Sequence, residues 1–467
     1  MLLLVITFAV AVFVAPLARR RTPHRRSDVA GAWNNRQWSE RRQGERARGV
    51  VADQPGGGRR IRRSGASARL GGPHLGIDAP ERGRRTVVDY SAPNIAKEMH
   101  VGHLRTTIIG DCLVRVLAFL GADVVRQNHL GDWGTQFGML IQYFDEHPDT
   151  TWRHDQLADD MSAVSALDGL YRAARAAFDS DSAFADRARA RVVALQAGDE
   201  ATIARWREIV TESELAFREI YDRLGVLLEP EDSAGESFYN AWLPNVVGEL
   251  TQSGIAVESD GALIVPSEDV VGPDGNPVTL MVRKKDGGYG YDTTDLATIR
   301  YRIDDLKADR LLYVVDARQA LHFRLIFEVA RRAGWLTDEV EAVHVAFGTV
   351  LGPDGRPFKT RSGGTVKLTD LLDAAVSTAR SIVAEKAHEL SEAELDQIAE
   401  HAGIGAVKYA DLSTSRTKDY SFDVERMVSF SGNTGVYLQY AHTRICKHSR
   451  PWPRACWGTA VSGRSAG

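Results

Sequence analysis

Two histidines that flank a glycine, in His100-Val101-Gly102-His103, are the residues of this chain whose types and spacing most directly suggest chemistry. The histidines lie three residues apart at the expected start of a helix that follows a strand. Both imidazoles would therefore lie on one face, beside unpaired N–H groups and the positive end of the helix dipole. Such a site suits phosphate, and Gly102 would let a nucleotide approach the backbone closely. Because four-residue patterns recur by chance, a helix start with incidental histidines is the alternative.

A second candidate for phosphate chemistry is the glycine-flanked segment 352–364, which carries Lys359 and Arg361. A flexible loop with these two cations could close over a triphosphate and neutralise the leaving pyrophosphate. Without further context, the same segment would be interpreted as a solvated basic turn. Its function therefore depends on what the rest of the chain places beside it.

Two strand–helix–strand units would position these residues. In the first, 86–90 is a β-branched strand, apolar residues at helical spacing from Leu104 form a helix closed by Gly121, and 123–126 is the second strand. In the second, the corresponding strand, helix and strand are 311–315, 321–333 and 343–347. Two such units predict an α/β fold with a Rossmann-like doubly wound parallel sheet.

An inserted α+β region separates the two units. Residues 150–228 show helical spacing, whereas after Pro230 the chain changes to short strand-like pieces such as 262–265, with a turn at 273–275. Beyond Leu368, two amphipathic helices are expected to extend to about Tyr409.

The composition is that of an ordinary globular protein, with 43% hydrophobic and 26% charged residues over 467 positions. This composition excludes a disordered, collagenous or wholly membrane-embedded chain. Cys112, Cys446 and Cys456 include no CxxC pair. The cysteines therefore offer neither a disulfide framework nor a zinc site, and a reducing, cytosolic setting fits them best.

The net charge of −4 hides two segments of opposite sign. Residues 1–85 hold 18 Arg and 6 acidic residues, a balance of +12, which leaves 40 basic and 56 acidic residues, or −16, for 86–467. Residues 19–85 are also poor in aliphatic side chains. Because such a segment cannot build a hydrophobic core, we expect it to be disordered.

The first 18 residues are apolar except for Thr7 and precede three arginines, so their length could just span a bilayer. A secretory signal would carry its charge before the apolar run. All 18 basic residues of the first 85 are Arg, which favours the alternative that this end is translated in a wrong frame or from a wrong start. We therefore expect no stable membrane partner.

Five blocks of the sequence resemble the arginyl-tRNA synthetases, a family of class I aminoacyl-tRNA synthetases. The stretch 91–105, SAPNIAKEMHVGHLR, contains the counterpart of the class I HIGH signature, and 129–138, HLGDWGTQFG, is similar to a second family segment. The other blocks are 291–295, 313–323 and 437–442. Because the five occur in the family's order over about 86–445, chance is not a serious explanation.

The resemblance implies an ATP site built from the histidine motif and from segment 352–364, which takes the place of the class I KMSKS loop. Because that segment departs from KMSKS, Lys97 is implied to supply a compensating positive charge. Catalysis would then rest on positioning and charge stabilisation rather than on a nucleophile. The implied catalytic residues are His100, His103, Lys97, Lys359 and Arg361. The implied ATP-binding residues are His100, Gly102, His103 and Lys359.

The resemblance also implies a pocket for arginine. A guanidinium offers five N–H donors in a planar fork, which a buried carboxylate accepts bidentately. Asp295 and Tyr291, four apart on one helical face, are implied to take this role, with Asp89 facing the same guanidinium. Asn94 and Gln319 are implied to contact the α-amino and carboxylate groups. Other interpretations stay open, since Asp89 could end a strand, Asp295 could cap a helix and Gln319 could close a turn.

The reaction implied by the resemblance has two steps. The carboxylate of L-arginine attacks the α-phosphorus of ATP and gives arginyl-adenylate and pyrophosphate, and the arginyl group is then transferred to the terminal ribose of tRNA(Arg). Mg²⁺ is expected to accompany ATP, and no protein metal site is expected. The family favours a monomer in the cytoplasm, and bound tRNA is implied to be needed even for the adenylate step.

We expect the chain to divide into an apolar and then Arg-rich segment (1–85), the first half of the catalytic domain (86–150), an insertion (151–285), the second half with the KMSKS-like loop (286–367), helices and the start of an anticodon-binding domain (368–445), and a non-matching tail (446–467). Residues 1–85 show no resemblance to the family's N-terminal domain, and the match fades after Ile445. A truncated, catalytically impaired synthetase that retains only ATP and arginine binding is therefore the alternative.

Two enzymes of related fold also need consideration. A nucleotidyltransferase with the HIGH signature would explain a nucleotide site, but it would not need the arginine-type blocks around Tyr291 and Gln319. A cysteinyl synthetase would need a zinc–thiolate set, which three scattered cysteines do not provide.

Overall fold

The computed structural model describes residues 77–157, 163–352, 354–356, 358, 366–385, 390–429 and 431–448. The apolar segment 1–18, the Arg-rich segment up to residue 76, the two cations Lys359 and Arg361, and residues 449–467 of the tail lie outside the described residues. Among the helices in the described ranges, none is both long enough and apolar enough to cross a membrane.

The described part of the chain contains both helices and strands. The helices are α1 (Val101–Phe119), α2 (Thr135–Glu146), α3 (Ala163–Ser180), α4 (Ser182–Ala197), α5 (Glu200–Leu224), α6 (Leu243–Gln252), α7 (Tyr291–Asp304), α8 (Ala320–Arg332), α9 (Leu368–Ala384), α10 (Glu392–Ser413), α11 (Val424–Val428) and α12 (Gly435–His448). The strands are β1 (Arg85–Asp89), β2 (Asp123–Gln127), β3 (Val257–Ser259), β4 (Ala262–Val271), β5 (Pro277–Arg283), β6 (Arg310–Tyr313), β7 (Glu341–His344), β8 (Val350–Leu351) and β9 (Tyr420–Ser421).

The central sheet contains β2, β1, β6 and β7 in that order, and each neighbouring pair is parallel. Helix α1 connects β1 to β2, and α8 connects β6 to β7. The predicted Rossmann-like doubly wound sheet is therefore confirmed. Strands β6 and β7 end earlier than predicted, at Tyr313 and His344. The apolar run misleads because Val314 and Val345 stay buried after the strands have ended.

Alternating side chains give this sheet two buried faces. On one face, Val88 and Leu312 belong to the hydrophobic core that includes α1. On the other face, Val87 and Leu311 belong to the core that includes α8. Because each of these helices follows a parallel strand, its N-terminus lies at the carboxyl end of the sheet.

Between the two units, the chain forms α3, α4 and α5, as its helical spacing predicts, and then the antiparallel sheet β3-β4-β5. The sequence does not predict α6, which lies where short strands are expected. Pro244 is near the start of α6, where an N–H group has no partner within the helix anyway. Val246 and Leu250 are buried four residues apart on one face. A proline such as Pro244 is compatible with a helix start, so its presence does not exclude a helix here.

Helices α9 and α10 are the two amphipathic helices predicted beyond Leu368. Both contribute to the core that includes α1. Helix α10 ends at Ser413, about one turn later than predicted. Helix α1, which begins with the histidine motif, therefore packs in one hydrophobic core with the sheet and with α9 and α10.

Candidate active site

The candidate site lies at the carboxyl ends of the two central strands, where open α/β sheets bind ligands. Asp89, the last residue of β1, pairs in register with Tyr313, the last residue of β6. From these points the chain continues to the start of α1 and to the start of α8. We call one part of the site the α1 side (Lys97, His100, Gly102 and His103). We call the other part the α7 side (Glu236, Asp292, Asp295 and His322).

On the α1 side, the two histidines cap the start of the helix. His100 is the N-cap residue, and its Nδ1 accepts a hydrogen bond from Gly102 N at 3.0 Å. His103 Nδ1 accepts from His100 N, also at 3.0 Å. The two ring centroids are 4.1 Å apart. This reciprocal arrangement is a capping box, so the spacing fixes both rings at the helix start.

Both rings are neutral donors. Because each Nδ1 accepts a hydrogen bond, the proton of each neutral ring is on Nε2. Burial, and then the neighbouring His100 ring, lower the pKa of His103 to about 3. Burial, followed by the charges of Arg318 and Lys97, also lowers the pKa of His100. The α1 side therefore offers two Nε2–H groups rather than the two cations of an electrostatic clamp.

Gly102 is required by the ring of His100. A Cβ atom at position 102 would lie 2.6 Å from Cε1 and 2.8 Å from Nδ1 of that ring. Real Cβ contacts are essentially never this short. Any other residue would therefore displace His100 from its capping position.

The segment between β1 and α1 has a strained backbone. Ser91, Ala92 and Ala96 have φ angles of 74°, 48° and 60°, which residues with a Cβ rarely adopt. Side chains of other elements hold this shape, since Ala92 N donates to Asn128 Oδ1 and Ala96 N donates to Ser213 Oγ, both at 3.0 Å. Such strain is concentrated at functional sites. The sequence gives no signal of it, because none of the three residues is Gly or Asn.

Lys97 lies on the α1 side as the resemblance implies. Its Nζ is 4.8 Å from the ring centroid of Tyr171, and its charge contributes to the lowered pKa of His100. The other two predicted cations, Lys359 and Arg361, lie outside the described residues. Their roles therefore stay predictions.

The chain that follows the glycine-flanked loop is tied to the histidine motif. Val101 N donates to Val366 O at 3.1 Å, and Leu368 N donates to Met99 O at 2.8 Å. These two bonds bracket His100 on both sides. The residues 366–368, downstream of the loop, are therefore held directly beside the first histidine.

On the α7 side, His322 of α8 lies between two carboxylates. Its Nε2 is 2.6 Å from Asp295 Oδ2 and its Nδ1 is 3.3 Å from Asp292 Oδ1. Burial opposes a charge on this ring, but hydrogen bonds to the two carboxylates outweigh burial and raise the pKa of His322 to about 9. The ring of Tyr291 lies 5.3 Å from that of His322. Tyr291 and Asp295 therefore share one face of α7, as their spacing predicts.

A third carboxylate lies near Asp295. Burial raises the pKa of Glu236 to about 7, and this shift is opposed by His129 and increased by Asp132 and Asp295. His129 Nε2 is 3.9 Å from Asp295 Oδ1. Sequence reasoning named neither His322 nor His129 as a site residue, although both lie in family-like blocks. It missed Glu236 because no block covers that residue.

Asp89 already has a guanidinium partner within the chain. Its Oδ2 accepts a hydrogen bond from Nη2 of the fully buried Arg302 at 2.9 Å. Its Oδ1 is buried and has no hydrogen-bond partner among the described residues. Asp89 therefore ends β1 and forms an ion pair with Arg302. A substrate guanidinium would therefore have to use Oδ1.

Asn94 and Gln319 lie in the loops that follow β1 and β6, and both are exposed. A Cβ on Gly131 would be 2.2 Å from Asn94 Oδ1, so this amide lies directly on the neighbouring glycine. Gln319 ends a short 3-10 turn and is the N-cap residue of α8, but its side chain makes no cap bond. Both amides therefore lie at the mouth of the site, where they could meet a ligand.

Arg105, two residues after the second histidine, joins α1 to two distant parts of the chain. Its Nε donates to Asp411 Oδ1 at 2.7 Å, and its Nη1 donates to Gly348 O and Lys418 O, both at 2.9 Å. The side chains of both Arg105 and Asp411 are buried. The start of α1 is therefore fixed to α10 and to the segment that leads into β8.

Metal-binding side chains are not clustered in this site. Among the residues that the structure describes, no group of three or more His, Cys, Asp or Glu side chains could hold a metal ion.

Comparison with known proteins identifies relatives of this arrangement. Residues 72–424 match the family model of the catalytic domain of class I tRNA synthetases (R). An arginine–tRNA ligase of Frankia casuarinae is 79% identical over 379 residues, which are 81% of this chain and 64% of that protein. One of Streptomyces avermitilis is 55% identical over 389 residues, which are 82% of this chain and 66% of that protein. The chain therefore spans just under two thirds of the length of these relatives.

Solved structures give the same result for the fold. Arginyl-tRNA synthetase from Plasmodium falciparum is 34% identical with a TM-score of 0.66, and the match covers 80% of this chain and 60% of that one. Thermus thermophilus arginyl-tRNA synthetase has a TM-score of 0.67 over 83% of this chain and 69% of that one, and at 23% identity it supports the fold alone. On the family model and the close relatives together, the chain belongs to the arginyl-tRNA synthetase family of class I tRNA synthetases.

Proposed function

We propose that the protein attaches L-arginine to tRNA(Arg) in two steps, through arginyl-adenylate. One observation carries the proposal: the same end of the sheet presents neutral N–H donors at the start of α1 and two α7 carboxylates around the His322 ring of α8. The donors suit the phosphate oxygens of ATP, and the carboxylates suit a guanidinium. A nucleotide site alone would not require the second group.

ATP is proposed to bind on the α1 side. The Nε2–H groups of His100 and His103 would donate to phosphate oxygens, Gly102 would allow the nucleotide close to the backbone, and Lys97 would add a positive charge. In the first step, an oxygen of the arginine carboxylate bonds to the α-phosphorus while the bond to pyrophosphate breaks. The leaving pyrophosphate takes the electron pair of the broken bond. We assign Lys359 and Arg361 to stabilise the negative charge that it gains. No proton transfer is required in this step.

Arginine is proposed to bind on the α7 side. Asp295 would accept the guanidinium, with Tyr291 beside it and the free Oδ1 of Asp89 facing the same group. The charge of Asp295 contributes to the raised pKa of Glu236, so we add Glu236 to the pocket. The α-amino and carboxylate groups would be held by the two exposed amides, Asn94 and Gln319. This orientation directs the carboxylate toward the α1 side, where the α-phosphate would lie.

Mg²⁺ is proposed to arrive with ATP. This ion keeps several waters and binds mainly to phosphate oxygens, so it would need no dedicated cluster of protein carboxylates. The arginyl group then passes to the 2′-hydroxyl of the terminal ribose, which makes tRNA(Arg) the second macromolecule of the reaction. We also propose that the protein acts as a monomer in the cytoplasm.

Arginine-dependent ATP–pyrophosphate exchange tests this function. The purified chain would be incubated with ATP, labelled pyrophosphate, tRNA(Arg) and either arginine, lysine or citrulline. Lysine tests for a planar guanidinium rather than a point charge, and citrulline keeps the planar shape without the charge. We expect exchange with arginine and at least ~100-fold less with the other two, because each of them leaves buried acceptors unpaired.

Two outcomes would contradict the proposal in different ways. Equal exchange with lysine would remove the carboxylate pocket from substrate selection. No exchange with arginine, while calorimetry still detects ATP and arginine binding, would favour the impaired synthetase that retains binding alone. Aminoacylation of tRNA(Arg), measured in the same preparation, then tests the second step.

A further inference from the structure

His322 of α8 contacts two carboxylates of α7 at the same time. Its Nε2 is 2.6 Å from Asp295 Oδ2, and its Nδ1 is 3.3 Å from Asp292 Oδ1. A carboxylate only accepts hydrogen bonds, so each contact requires an N–H group, and a ring with both nitrogens protonated is an imidazolium. Contact with a carboxylate at each ring nitrogen therefore favours a positively charged His322. The pKa of about 9 agrees with this assignment.

This imidazolium occupies the acceptors that the proposed function assigns to the substrate. The second oxygen of Asp295 faces His129 Nε2 at 3.9 Å, and the second oxygen of Asp292 accepts from Met281 N at 3.3 Å. A guanidinium that enters the pocket must therefore share Asp295 with a cation that is already present. Two like charges at contact distance repel each other strongly in a partly buried site.

We propose that His322 is a positioning residue of the arginine pocket, which holds Asp292 and Asp295 in place and gives up its Nε2 proton when a guanidinium binds Asp295. This inference rests on the proposed function. The N–H bond breaks, the electron pair stays on Nε2, and the proton passes to the solvent. The other proton, on Nδ1, keeps the ring bonded to Asp292.

Loss of this proton has two consequences for the pocket. It removes the repulsion between the imidazolium and the arriving guanidinium. It also converts Nε2 from a donor into an acceptor, which one of the five guanidinium N–H groups can use. A primary ammonium such as that of lysine would also displace a cation, but it lacks the planar fork that could reach Asp295 and the ring together.

Several groups face His322 and must be separated from it in a test. They are Asp292, Asp295 and Tyr291 of α7, His129 and Glu236 near Asp295, and His344 behind Phe323. Glu236 also titrates near neutrality, since burial raises its pKa to about 7. At about pH 8, one unit from each value, Glu236 is mostly ionised while His322 is mostly protonated. A variant that lacks His322 but keeps Glu236 therefore separates the two sources of a released proton.

Calorimetry at pH 8 in two buffers with different heats of ionisation tests the inference. For the unaltered chain, the measured binding heats should differ by the amount that corresponds to about one proton released per arginine. In His322→Gln, the arginine that still binds should bind more weakly and with proton release close to zero. The matched control is His147→Gln, which changes an exposed histidine at the end of α2 and should behave like the unaltered chain.

A second measurement keeps the inference testable if His322→Gln does not fold. The arginine affinity of the unaltered chain should increase roughly five- to tenfold from pH 7.5 to 8.5, because a proton is lost on binding. Buffer-independent binding heats in the unaltered chain, or full proton release in His322→Gln, would overturn the role of His322 while leaving the proposed function intact. A chain that binds no arginine would overturn the proposed function, and this inference with it.

Discussion

The two sides of the site use the same residue type in opposite charge states. On the α1 side, the pKa of His103 is lowered to about 3, whereas on the α7 side the pKa of His322 is raised to about 9. Both rings are partly buried, and burial alone disfavours a charge on each of them. The difference arises because His103 meets a backbone N–H group and another imidazole, whereas His322 meets two carboxylates.

The groups that contact a histidine ring, rather than the residue type, therefore decide whether it presents a neutral donor or a positive charge to a ligand. A neutral ring with its Nδ1 engaged presents one fixed N–H donor, which suits an anion. A doubly bonded imidazolium acts as a counter-ion that keeps two carboxylates close together. The site therefore separates a donor surface for phosphate from an acceptor surface for a cation.

Asp295→Asn should give the largest change in substrate kinetics, and this change should be confined to arginine, the substrate assigned to the α7 side. The change keeps the shape but removes the charged acceptor, and charge-assisted hydrogen bonds of this kind contribute about 1.5–3 kcal/mol. We expect the arginine KM to increase roughly 100-fold while the ATP KM stays within a factor of two, measured by pyrophosphate exchange.

The matched control is Asp304→Asn, since Asp304 is the last residue of the same helix and has an exposed carboxylate. It should leave both KM values unchanged. An equal increase of the ATP KM in Asp295→Asn would show that the two sides do not act separately.

Gly102→Ala should give an intermediate effect on the α1 side. The new Cβ would lie 2.6 Å from His100 Cε1, so the ring must leave its capping position. Loss of a cap costs about 1 kcal/mol of stability, and the displaced donor should raise the ATP KM roughly tenfold with the arginine KM unchanged.

Gly169→Ala is the matched control for this substitution. Gly169 lies inside α3 with nothing within 4 Å of its would-be Cβ, so alanine should stabilise the fold by about 0.5–1 kcal/mol without altering kinetics. An unchanged ATP KM in Gly102→Ala would show that ATP binding does not require the His100 ring in its capping position.

The pH dependence of stability should be gradual, spread over several pH units, and should reverse between the two sides. The folded pKa of His103, about 3, lies below the unfolded value of about 6.5. Protons therefore bind the unfolded state first, and stability falls as the pH decreases from about 6.5 toward 3, by at most about 1.4 kcal/mol per pH unit from this group. His103→Gln should flatten this acidic decline in a series of thermal melts.

His322 should act at alkaline pH instead. Its folded pKa of about 9 lies above the unfolded value of about 6.5, so its stabilisation is complete below about pH 6.5 and is lost as the pH rises through 9. His322→Gln should flatten the alkaline decline of the melting temperature and leave the acidic one. If His103→Gln and His322→Gln both changed the acidic decline, or both changed the alkaline decline, the two sides would not differ in the way proposed.

The elements that carry the site could be predicted because their signals are local. The apolar positions of α1 recur every three or four residues from Leu104, and the β-branched run before it forms β1. The histidine spacing likewise fixes both rings, because a residue and its third neighbour meet within one helical turn. Helix α6 is not predicted, because the chain after Pro230 is expected to form short strands, whereas Pro244 lies near the start of a helix.

The charge states could not be predicted in the same way, because they depend on residues far apart in the chain. Asp89 meets Arg302 across 213 positions, and Asp295 meets His322 across 27. The raised pKa of Glu236 comes first from burial and then from Asp132 and Asp295, and these neighbours come together only on folding. No spacing rule connects such pairs, so the sequence could suggest Asp295 as an acceptor but not the cation that occupies it.

The ion pair between Arg105 and Asp411 has a consequence for the order of assembly during synthesis. The two residues are 306 positions apart, which the ribosome needs roughly 15–60 s to translate at about 5–20 residues per second. A buried charge without its partner is strongly unfavourable, so Arg105 cannot be buried until α10 has emerged and docked. The histidine pair, although translated early, therefore reaches its final setting only after nearly the whole described chain has left the ribosome.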